Sequence, residues 1–274
     1  MKIVSCTGTK GGVGKSTFAI LLAYKFSREG KRVVLGDLDV ECPNDHLLMG
    51  KELKDPQPIY QAFPTLNKEK CEQCGVCANT CRENAIFWVK GDYPRFLPDL
   101  CSGCGACWLA CPYDAIETED EITGESFITK IQENFWLVTG RSEIGVIETG
   151  PLVREVKEKA LELAHEQQAD YLLVDTAPGT HCSVINALMG SDKAYAVTEP
   201  TPLGAHDLQL ILQLLQKLEV PTEIVLNRAD VGDKTRVQEI AEKFGKKIVI
   251  EIPYSVELVK AYASQNLEEM VGLL

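Results

Sequence analysis

Apolar residues along this chain form short runs that alternate with segments of helical periodicity. Residues 2–6 are a β-branched run, and residues 16–28 place their apolar side chains at the spacing of one helix face. Strand-like runs at 32–35, which is apolar after Arg32, and at 171–174 predict two further strands. At 274 residues the chain is long enough for one large α/β domain or for two smaller domains.

Composition narrows the class of protein. The formal net charge of −12 disfavours nucleic acid and anionic membranes as partners. The chain shows no secretory signal peptide and no run of about 18 apolar residues, so we expect a cytoplasmic protein without membrane insertion. Eleven cysteines in a cytoplasmic chain favour metal or redox chemistry over a disulfide framework.

The segment TKGGVGKST, residues 9–17, matches a phosphate-binding loop because it lies between a predicted strand and a predicted helix. Its glycines allow the backbone to close around phosphate, and N–H groups at the helix N-terminus point at the anion. In this pattern Lys15 reaches the β- and γ-phosphates, Ser16 binds Mg²⁺ and Thr17 contacts the α-phosphate. Thr9 stands where the strict pattern has glycine, but the variant with an extra lysine, Lys10, is matched in full. The residues predicted to bind nucleotide in this loop are Gly11, Gly12, Val13, Gly14, Lys15, Ser16 and Thr17.

Acidic residues follow two of the predicted strands. Asp37 and Asp39 come after the run at 32–35, and Asp175 comes directly after the run at 171–174. The carboxyl ends of strands in open α/β sheets face the crevice where ligands bind. Asp175 suits an outer-shell contact to Mg²⁺, and Asp37 is a second candidate for the metal. Asp39 is placed to orient or deprotonate the attacking water.

These features resemble the MinD/ParA/nitrogenase-iron-protein class of P-loop ATPases, in particular its MinD and Mrp-like branches. Beyond the loop with its extra lysine, four segments carry the likeness: DLDVECPN at 37–44, VDTAPG at 174–179, VTEPTPLGAHD at 197–207 and VLNRAD at 225–230. The resemblance covers residues 1–60 and roughly 130–274. It implies a doubly wound, mostly parallel sheet, with an ATPase domain formed by residues 1–60 and 121–274.

The resemblance also implies roles for single residues. Asn227 would read the adenine, and Pro253 would lie near the base. Lys10 would cross a dimer interface and reach the nucleotide of the partner subunit, as an arginine finger does when it is supplied in trans. The expected assembly is therefore an ATP-dependent homodimer, with Lys10, Lys15 and Asp39 as its catalytic residues.

Eight of the eleven cysteines lie between the two halves of this match. The spacing C-x-x-C-x-x-C-x-x-x-C occurs at 71–81 and again at 101–111, as in bacterial two-cluster ferredoxins, where the fourth cysteine of each run ligates the other cluster. Zinc is the disfavoured alternative, because four-cysteine zinc sites usually pair two short C-x-x-C knuckles. We name the two predicted [4Fe–4S] sites by their ligands: site I is Cys71, Cys74, Cys77 and Cys111, and site II is Cys101, Cys104, Cys107 and Cys81.

The cysteine-rich segment is predicted to be an inserted α+β ferredoxin-like domain at residues 61–120. Both halves continue with glycine after the second cysteine, at Gly75 and Gly105, where glycine lets the loop fold back over a cluster. The prolines at 56, 58 and 64 suggest a linker into the insert. Residues 126–138 suggest strands that return to the ATPase domain.

Three cysteines remain outside this pattern. Cys6 is expected in the core, and Cys42 follows Asp39 in the loop predicted to sense the γ-phosphate. Cys182 follows Asp175 by seven residues, where the nitrogenase iron protein has a cluster ligand, so a third cluster bridging two subunits is a hypothesis. No second ligand for it is evident around 148–154.

Helical spacing at 256–274, without basic residues in its last ten positions, predicts a docking or core helix.

The leading functional hypothesis is a Mg²⁺-dependent ATPase whose nucleotide-driven conformational change controls electron transfer, or cluster delivery, through two [4Fe–4S] clusters. Its further partner would be a redox protein or an apo-protein target. The alternative is a MinD-like switch that recruits or positions a partner and uses its clusters as structure or as a redox sensor.

Overall fold

The computed structural model describes residues 1–272. The strands are β1 (Lys2–Thr7), β2 (Val33–Leu38), β3 (Gln57–Leu66), β4 (Ile86–Phe87), β5 (Arg95–Phe96), β6 (Ile116–Gln132), β7 (Phe135–Ser142), β8 (Tyr171–Thr176), β9 (Lys193–Thr198), β10 (Thr222–Asn227) and β11 (Ile248–Ile252). The helices are α1 (Lys15–Arg28), α2 (Asp45–Leu48), α3 (Val76–Thr80), α4 (Ala106–Leu109), α5 (Gly150–Glu166), α6 (Cys182–Leu188), α7 (Pro202–Lys217), α8 (Thr235–Lys243), α9 (Val256–Ala263) and α10 (Leu267–Gly272).

Nine strands form one sheet in the order β11-β10-β9-β1-β8-β2-β7-β6-β3. The first seven of these strands are parallel, whereas β6 and β3 add an antiparallel pair at one edge. The four strand and helix predictions near the phosphate loop and the acidic residues agree with β1, α1, β2 and β8 within a few residues. The mostly parallel sheet expected from the resemblance is confirmed.

Helices cover both faces of this sheet, as side-chain packing along β2 illustrates. Val33 and Leu35 belong to a core with Phe18 of α1, whereas Val34 belongs to a second core with Val156 of α5. Successive side chains of a strand point to opposite faces. Helices α1 and α5 therefore lie on opposite sides of the sheet, and the fold is doubly wound.

A two-stranded ribbon carries the cysteine-rich segment away from the sheet. Gly124 of β6 pairs with Ser142, the last residue of β7, so the eight residues Ile116–Thr123 of β6 run on beyond the carboxyl end of β7. There they pair with β3 up to Leu66. At about 3.3 Å per residue this overhang is about 26 Å long. The ribbon projects from the edge of the sheet where the parallel strands end.

The predicted linker is wrong, because Pro58 and Pro64 lie inside β3. The strand tolerates them because it is the outermost strand of the sheet and pairs only with β6. Strands β3 and β6 run across both predicted domain boundaries, at 60 and at 120.

At the end of the ribbon, residues 67–115 fold with short helices and strands of their own. Helices α3 and α4 follow the two cysteine loops, and β4 pairs with β5 in a separate antiparallel sheet. A small core joins the repeats through Cys77, Ile86, Cys107 and Ile116. The mixture of short helices and strands agrees with the α+β character predicted for the segment.

The C-terminal part of the chain packs against the ATPase core. The predicted helix at 256–274 is two helices, α9 and α10, and Ala261 and Met270 pack on Leu21 of α1. Residues 273 and 274 of that prediction lie outside the described residues. Within residues 1–272, no helix combines the length and apolar character needed to span a membrane.

Candidate functional site

The phosphate loop connects β1 to α1 at the carboxyl edge of the sheet. Gly14 has a φ of +97°, and a Cβ atom added there would lie 2.5 Å from Nδ2 of Asn227. The side-chain amide of Asn227 donates a hydrogen bond to the carbonyl of Val13 at 2.8 Å. Glycine at position 14 therefore provides both the left-handed turn and the room for Asn227. The two segments predicted to hold phosphate and adenine are in direct contact.

Lys15 is buried at the first turn of α1, and its ammonium donates to the carbonyl of Lys10 at 3.2 Å. Burial lowers the pKa of Lys15, and the charge of Asp175 opposes that effect. A buried cation at a helix N-terminus beside glycine N–H groups is an arrangement suited to an anion.

Lys10 points towards a different group. Its ammonium lies 2.5 Å from Oε1 of Glu199, while Oε2 of Glu199 accepts from the guanidinium of Arg228 at 3.0 Å. Glu199 is almost fully buried, whereas its two cationic partners are partly exposed. Burial alone would raise the pKa of Glu199, but hydrogen bonds and charge from Lys10 and Arg228 leave it below its usual value. The sequence did not identify Glu199, which stands 189 residues from Lys10.

Three buried carboxyl groups meet beneath the loop. Oxygens of Asp37, Asp45 and Asp175 lie within 4.8 Å of one another. Asp37 accepts the N–H groups of Asn44 and Asp45 at 3.1 Å, and Oδ2 of Asp175 accepts from the hydroxyl of Ser16 at 2.6 Å. Both oxygens of Asp45 and Oδ1 of Asp175 are buried without a hydrogen-bond partner. Such unpartnered carboxyl oxygens beside a phosphate loop fit a bound Mg²⁺.

The electrostatics of this trio follow from its burial. Desolvation raises the pKa of Asp175 to about 7, although the Ser16 hydrogen bond and the charge of Lys15 lower it. Desolvation and mutual repulsion raise the pKa of Asp37 and Asp45 well above the ordinary value. Asp45 was missed by the sequence reasoning. Its only signal was its position directly after the Asp37–Asn44 loop, at the start of a helix four residues long.

Asp39 lies beyond the trio on the same loop and is partly buried. Burial raises its pKa, and the N–H group of Cys42, which donates to Oδ1 at 3.4 Å, and the charge of Lys15 lower it. The next residue, Val40, accepts the N–H group of Ser142 at 2.8 Å. The Asp39 loop is thereby tied to the end of β7.

A cavity of about 580 Å³ opens beside the phosphate loop. It joins the loop and the start of α1 to the segments after β10 and β11, so that Ser16 and Thr17 share one space with Asn227, Pro253 and Tyr254. The predicted phosphate-binding and base-binding residues thus line one space. The predicted nucleotide-binding residues in its lining include Gly12, Gly14, Lys15, Ser16, Asn227 and Pro253.

The eight cysteines of the ribbon-borne segment line two separate pockets. One is lined by all four residues of site I and the other by all four residues of site II. In each pocket the fourth cysteine comes from the other half of the repeat, so the structure brings together the two crossed sets that the spacing predicted.

The arrangement of the cysteine sulfurs bears on zinc as an occupant of these pockets. Within residues 1–272, no three cysteine sulfurs lie within 4.8 Å of one another. A tetrahedral zinc ion with bonds of about 2.3 Å holds its sulfurs about 3.8 Å apart. Neither pocket therefore gathers its sulfurs at the spacing of a zinc site. Backbone N–H groups of Gly103 and Ala115 donate to the sulfurs of Cys101 and Cys111, each at 3.4 Å.

The turns that shape the pockets rely on glycine. Gly75 and Gly105 have φ values of +73° and +82° and precede α3 and α4.

Burial raises the pKa of the Cys107 thiol to about 11. Thiolate at that position therefore needs a positive partner, which a bound metal group supplies.

The remaining cysteines are dispersed. Cys6 is fully buried in the core, as expected, while Cys42 and Cys182 are exposed. Cys182 begins α6 near Gly150. Among residues 1–272, no cluster of three or more potential metal ligands includes Cys182.

Comparison with known proteins identifies the class. The model of the family described as CobQ/CobB/MinD/ParA nucleotide binding domain matches residues 4–268. An uncharacterized protein of Methanocaldococcus jannaschii is 36% identical over 96% of this chain and 89% of its own length. The fold and phosphate loop thus define a MinD/ParA-type P-loop ATPase. The chain belongs to the CobQ/CobB/MinD/ParA nucleotide-binding family.

Two further likenesses differ in their extent. The septum site-determining protein MinD of Pyrococcus horikoshii, solved as a complex with Mg-ADP, has the same fold, with a TM-score of 0.55 and 16% identity over 99% of this chain and 93% of that one. Pyruvate synthase subunit PorD of Thermotoga maritima is 43% identical over 58 residues, which are 21% of this chain and 59% of that protein.

Proposed function

We propose that this protein is an ATP-hydrolysing iron–sulfur protein in which nucleotide-driven pairing of two copies controls electron transfer, or cluster delivery, through two [4Fe–4S] clusters. The observation that carries the proposal is the pair of crossed four-cysteine pockets on a ribbon that rises from the same sheet edge as the phosphate loop. The 58-residue likeness to PorD is close in length to the predicted insert and supports this reading.

The nucleotide site can perform hydrolysis with its own residues. Lys15 and the loop N–H groups would bind and orient the phosphates, while Asn227 and Pro253 would hold the base. Ser16, Asp37 and Asp175 would hold Mg²⁺, which supplies charge stabilisation when bound, and the orphaned oxygens of Asp45 add to the negative field there. Asp39 would align the attacking water.

The cysteine pockets would hold the clusters. Site I would use Cys71, Cys74, Cys77 and Cys111, and site II would use Cys81, Cys101, Cys104 and Cys107. A [4Fe–4S] cluster supplies one-electron chemistry when bound. The N–H groups of Gly103 and Ala115 stabilise negative charge on the sulfurs, and Cys74 and Cys104 are the exposed ligands at which electrons or a cluster would leave.

Pairing would use Lys10. In the proposed homodimer its ammonium leaves Glu199 and reaches the nucleotide bound by the partner subunit. The pair would then display four clusters, and its further partner would be a redox protein or an apo-protein that receives a cluster. Cys182 lies outside both pockets, and a third cluster that it would share with the partner subunit is a separate hypothesis.

Anaerobic purification with metal analysis tests the proposal. We expect about eight iron atoms per chain and the EPR signal of reduced [4Fe–4S] clusters. The double variant Cys42→Ser, Cys182→Ser serves as the control and should keep all the iron. Zinc in place of iron would overturn the cluster assignment. Clusters that neither change potential nor move to an acceptor when Mg-ATP is added would favour the partner-recruiting switch instead.

A further inference from the structure

We propose that nucleotide binding is communicated to site II through the contact between Gln61 of the ribbon and Gly103 of the site II loop. This inference rests on the proposed function, because it requires clusters in both sites. It assigns different roles to two sites that the sequence repeat makes look equivalent. Site II becomes the cluster whose surroundings change with the nucleotide state of the ATPase.

The two sites contact different residues of the ribbon. Gln61 lies two residues beyond Ile59, which pairs with Gly124 at the sheet edge. A Cβ atom added to Gly103, in the site II loop, would lie 2.6 Å from Nε2 of Gln61. Site I is lined instead by Leu66 and Ile116, the last pair of the ribbon. Pro64, two residues before Leu66, lines site II, so both sites meet the outer part of the ribbon and the contact particular to site II is that of Gln61.

A continuous series of contacts joins the Asp39 loop to site II. The N–H group of Ser142 donates to Val40 at 2.8 Å, and that of Glu143 donates to the carbonyl of Thr123 at 3.0 Å. Thr123 is the extra residue of a bulge in β6, since Ile59 pairs with Gly124 and Tyr60 pairs with Ile122. A displacement of the Asp39 loop is therefore passed to the base of the ribbon.

The last step lies within the ribbon. Glu121, two residues before the bulge, pairs with Gln61, whose side chain contacts Gly103 between two ligands of site II. A tilt or slide of the ribbon at the bulge thus moves the 101–104 loop directly. Site I meets the ribbon at Leu66 and Ile116, and its lining does not include Gln61.

The two cysteine loops are repeats of one sequence pattern, so the site I loop shows what the same turn looks like without this contact. Gly103 corresponds to Gln73 in the site I loop, and both residues have left-handed backbones, with φ values of +63° and +54°. The backbone geometry of this turn thus accepts a glutamine. Glycine at position 103 leaves space that the ribbon side chain of Gln61 fills, so the two loops differ in their contact with the ribbon and not in their turn.

Two reciprocal substitutions in the full chain test the proposal. Gly103→Gln gives the site II loop the residue found in the site I loop and displaces Gln61. Gln73→Gly is the matched change in the other loop. Each protein is purified anaerobically, its iron is counted, and the EPR spectrum of the dithionite-reduced protein is recorded with and without Mg-ATP.

The unchanged protein should show a Mg-ATP-dependent change in one cluster signal, which disappears in a Cys101→Ser, Cys104→Ser variant and persists in a Cys71→Ser, Cys74→Ser variant. Gly103→Gln should keep about eight iron atoms and lose the Mg-ATP effect. Gln73→Gly should keep both its iron and the Mg-ATP effect. A Mg-ATP effect that belongs to site I, or one that survives Gly103→Gln, overturns the inference while the proposed coupling stands. If neither cluster signal of the unchanged protein changes when Mg-ATP is added, both this inference and the proposed coupling are overturned.

Discussion

Lys10, the lysine that the family resemblance assigns to the partner's nucleotide, is ion-paired at 2.5 Å with Glu199 of its own chain. Glu199 is also bound by Arg228, which directly follows Asn227, the residue predicted to read the base. The carboxylate therefore connects the phosphate loop to the segment predicted to hold the base. For Lys10 to act in trans, this pair has to open.

The first prediction concerns that exchange. Lys10→Ala should abolish both ATP hydrolysis and ATP-dependent pairing. Glu199→Gln removes the charge that holds Lys10, so pairing should strengthen by about fivefold, equivalent to the ~1 kcal/mol typical of a partly exposed ion pair. Light scattering with a non-hydrolysable ATP analogue and phosphate release measure the two effects. A Lys10→Ala protein that still pairs and hydrolyses ATP would show that the lysine does not act in trans.

The second prediction concerns Asp45, which repels two buried carboxyl groups and has no hydrogen-bond partner for either oxygen. Asp45→Asn removes this repulsion while keeping the shape of the side chain. The metal-free protein should become more stable, by about 1 to 2 kcal/mol in the free energy of unfolding, and Mg-ATP should bind more weakly. Urea unfolding in EDTA and nucleotide titration separate the two effects. Loss of stability together with loss of binding would indicate that Asp45 has a purely structural role.

The third prediction is a pH dependence set by Asp175, whose pKa burial raises to about 7. In the metal-free protein the folded state holds a proton that the unfolded state has lost, so this contribution to stability is present at low pH and disappears as the pH rises through about 7. Mg²⁺ needs the ionised form.

Mg-ATP affinity should therefore fall by about tenfold per pH unit below the pKa of Asp175. Calorimetric titration between pH 5.5 and 8, taken as a working range of about one unit or more on each side of that pKa, measures the slope. Asp175→Asn is the control and should bind weakly with a flatter profile. An affinity that does not change across this range in the unchanged protein contradicts the assignment of Asp175 to the metal.

The sequence predicted those parts of the site whose residues lie close together along the chain or follow a regular spacing. The strand, loop and helix around Lys15 are contiguous, and the crossed cysteine sets follow from a repeat spacing with one known arrangement. Glu199 and Asp45 were missed for a different reason. Their importance comes from partners that meet only in the folded chain, and a single acidic residue after a strand or at a helix start looks like an ordinary cap.

The sequence did not predict the ribbon, because the prolines of its first strand are typical of a linker and not of a strand. Pro58 and Pro64 lower the strand propensity of β3, and only its edge position makes them tolerable. The placement of β3 depends on pairing with β6, about sixty residues later in sequence. Consequently the ribbon residues that meet each four-cysteine pocket could not be read from the spacing of the cysteines.

The last prediction concerns the Gly75 turn in the site I loop. A Cβ atom at Gly75 would lie 2.5 Å from the ring of Trp88, and the φ of +73° is already unfavourable for alanine. Gly91 has a similar φ of +86° with open space around it, so Gly91→Ala reports the backbone strain alone. Gly91→Ala should cost about 1 kcal/mol of stability, and Gly75→Ala about 1 to 3 kcal/mol more because the ring has to move. Guanidinium unfolding of the insert, followed by loss of visible cluster absorbance, measures both. Equal effects of the two substitutions would mean that Trp88 does not pack over the turn, whereas a larger effect at Gly75 that Trp88→Ala relieves would establish the contact.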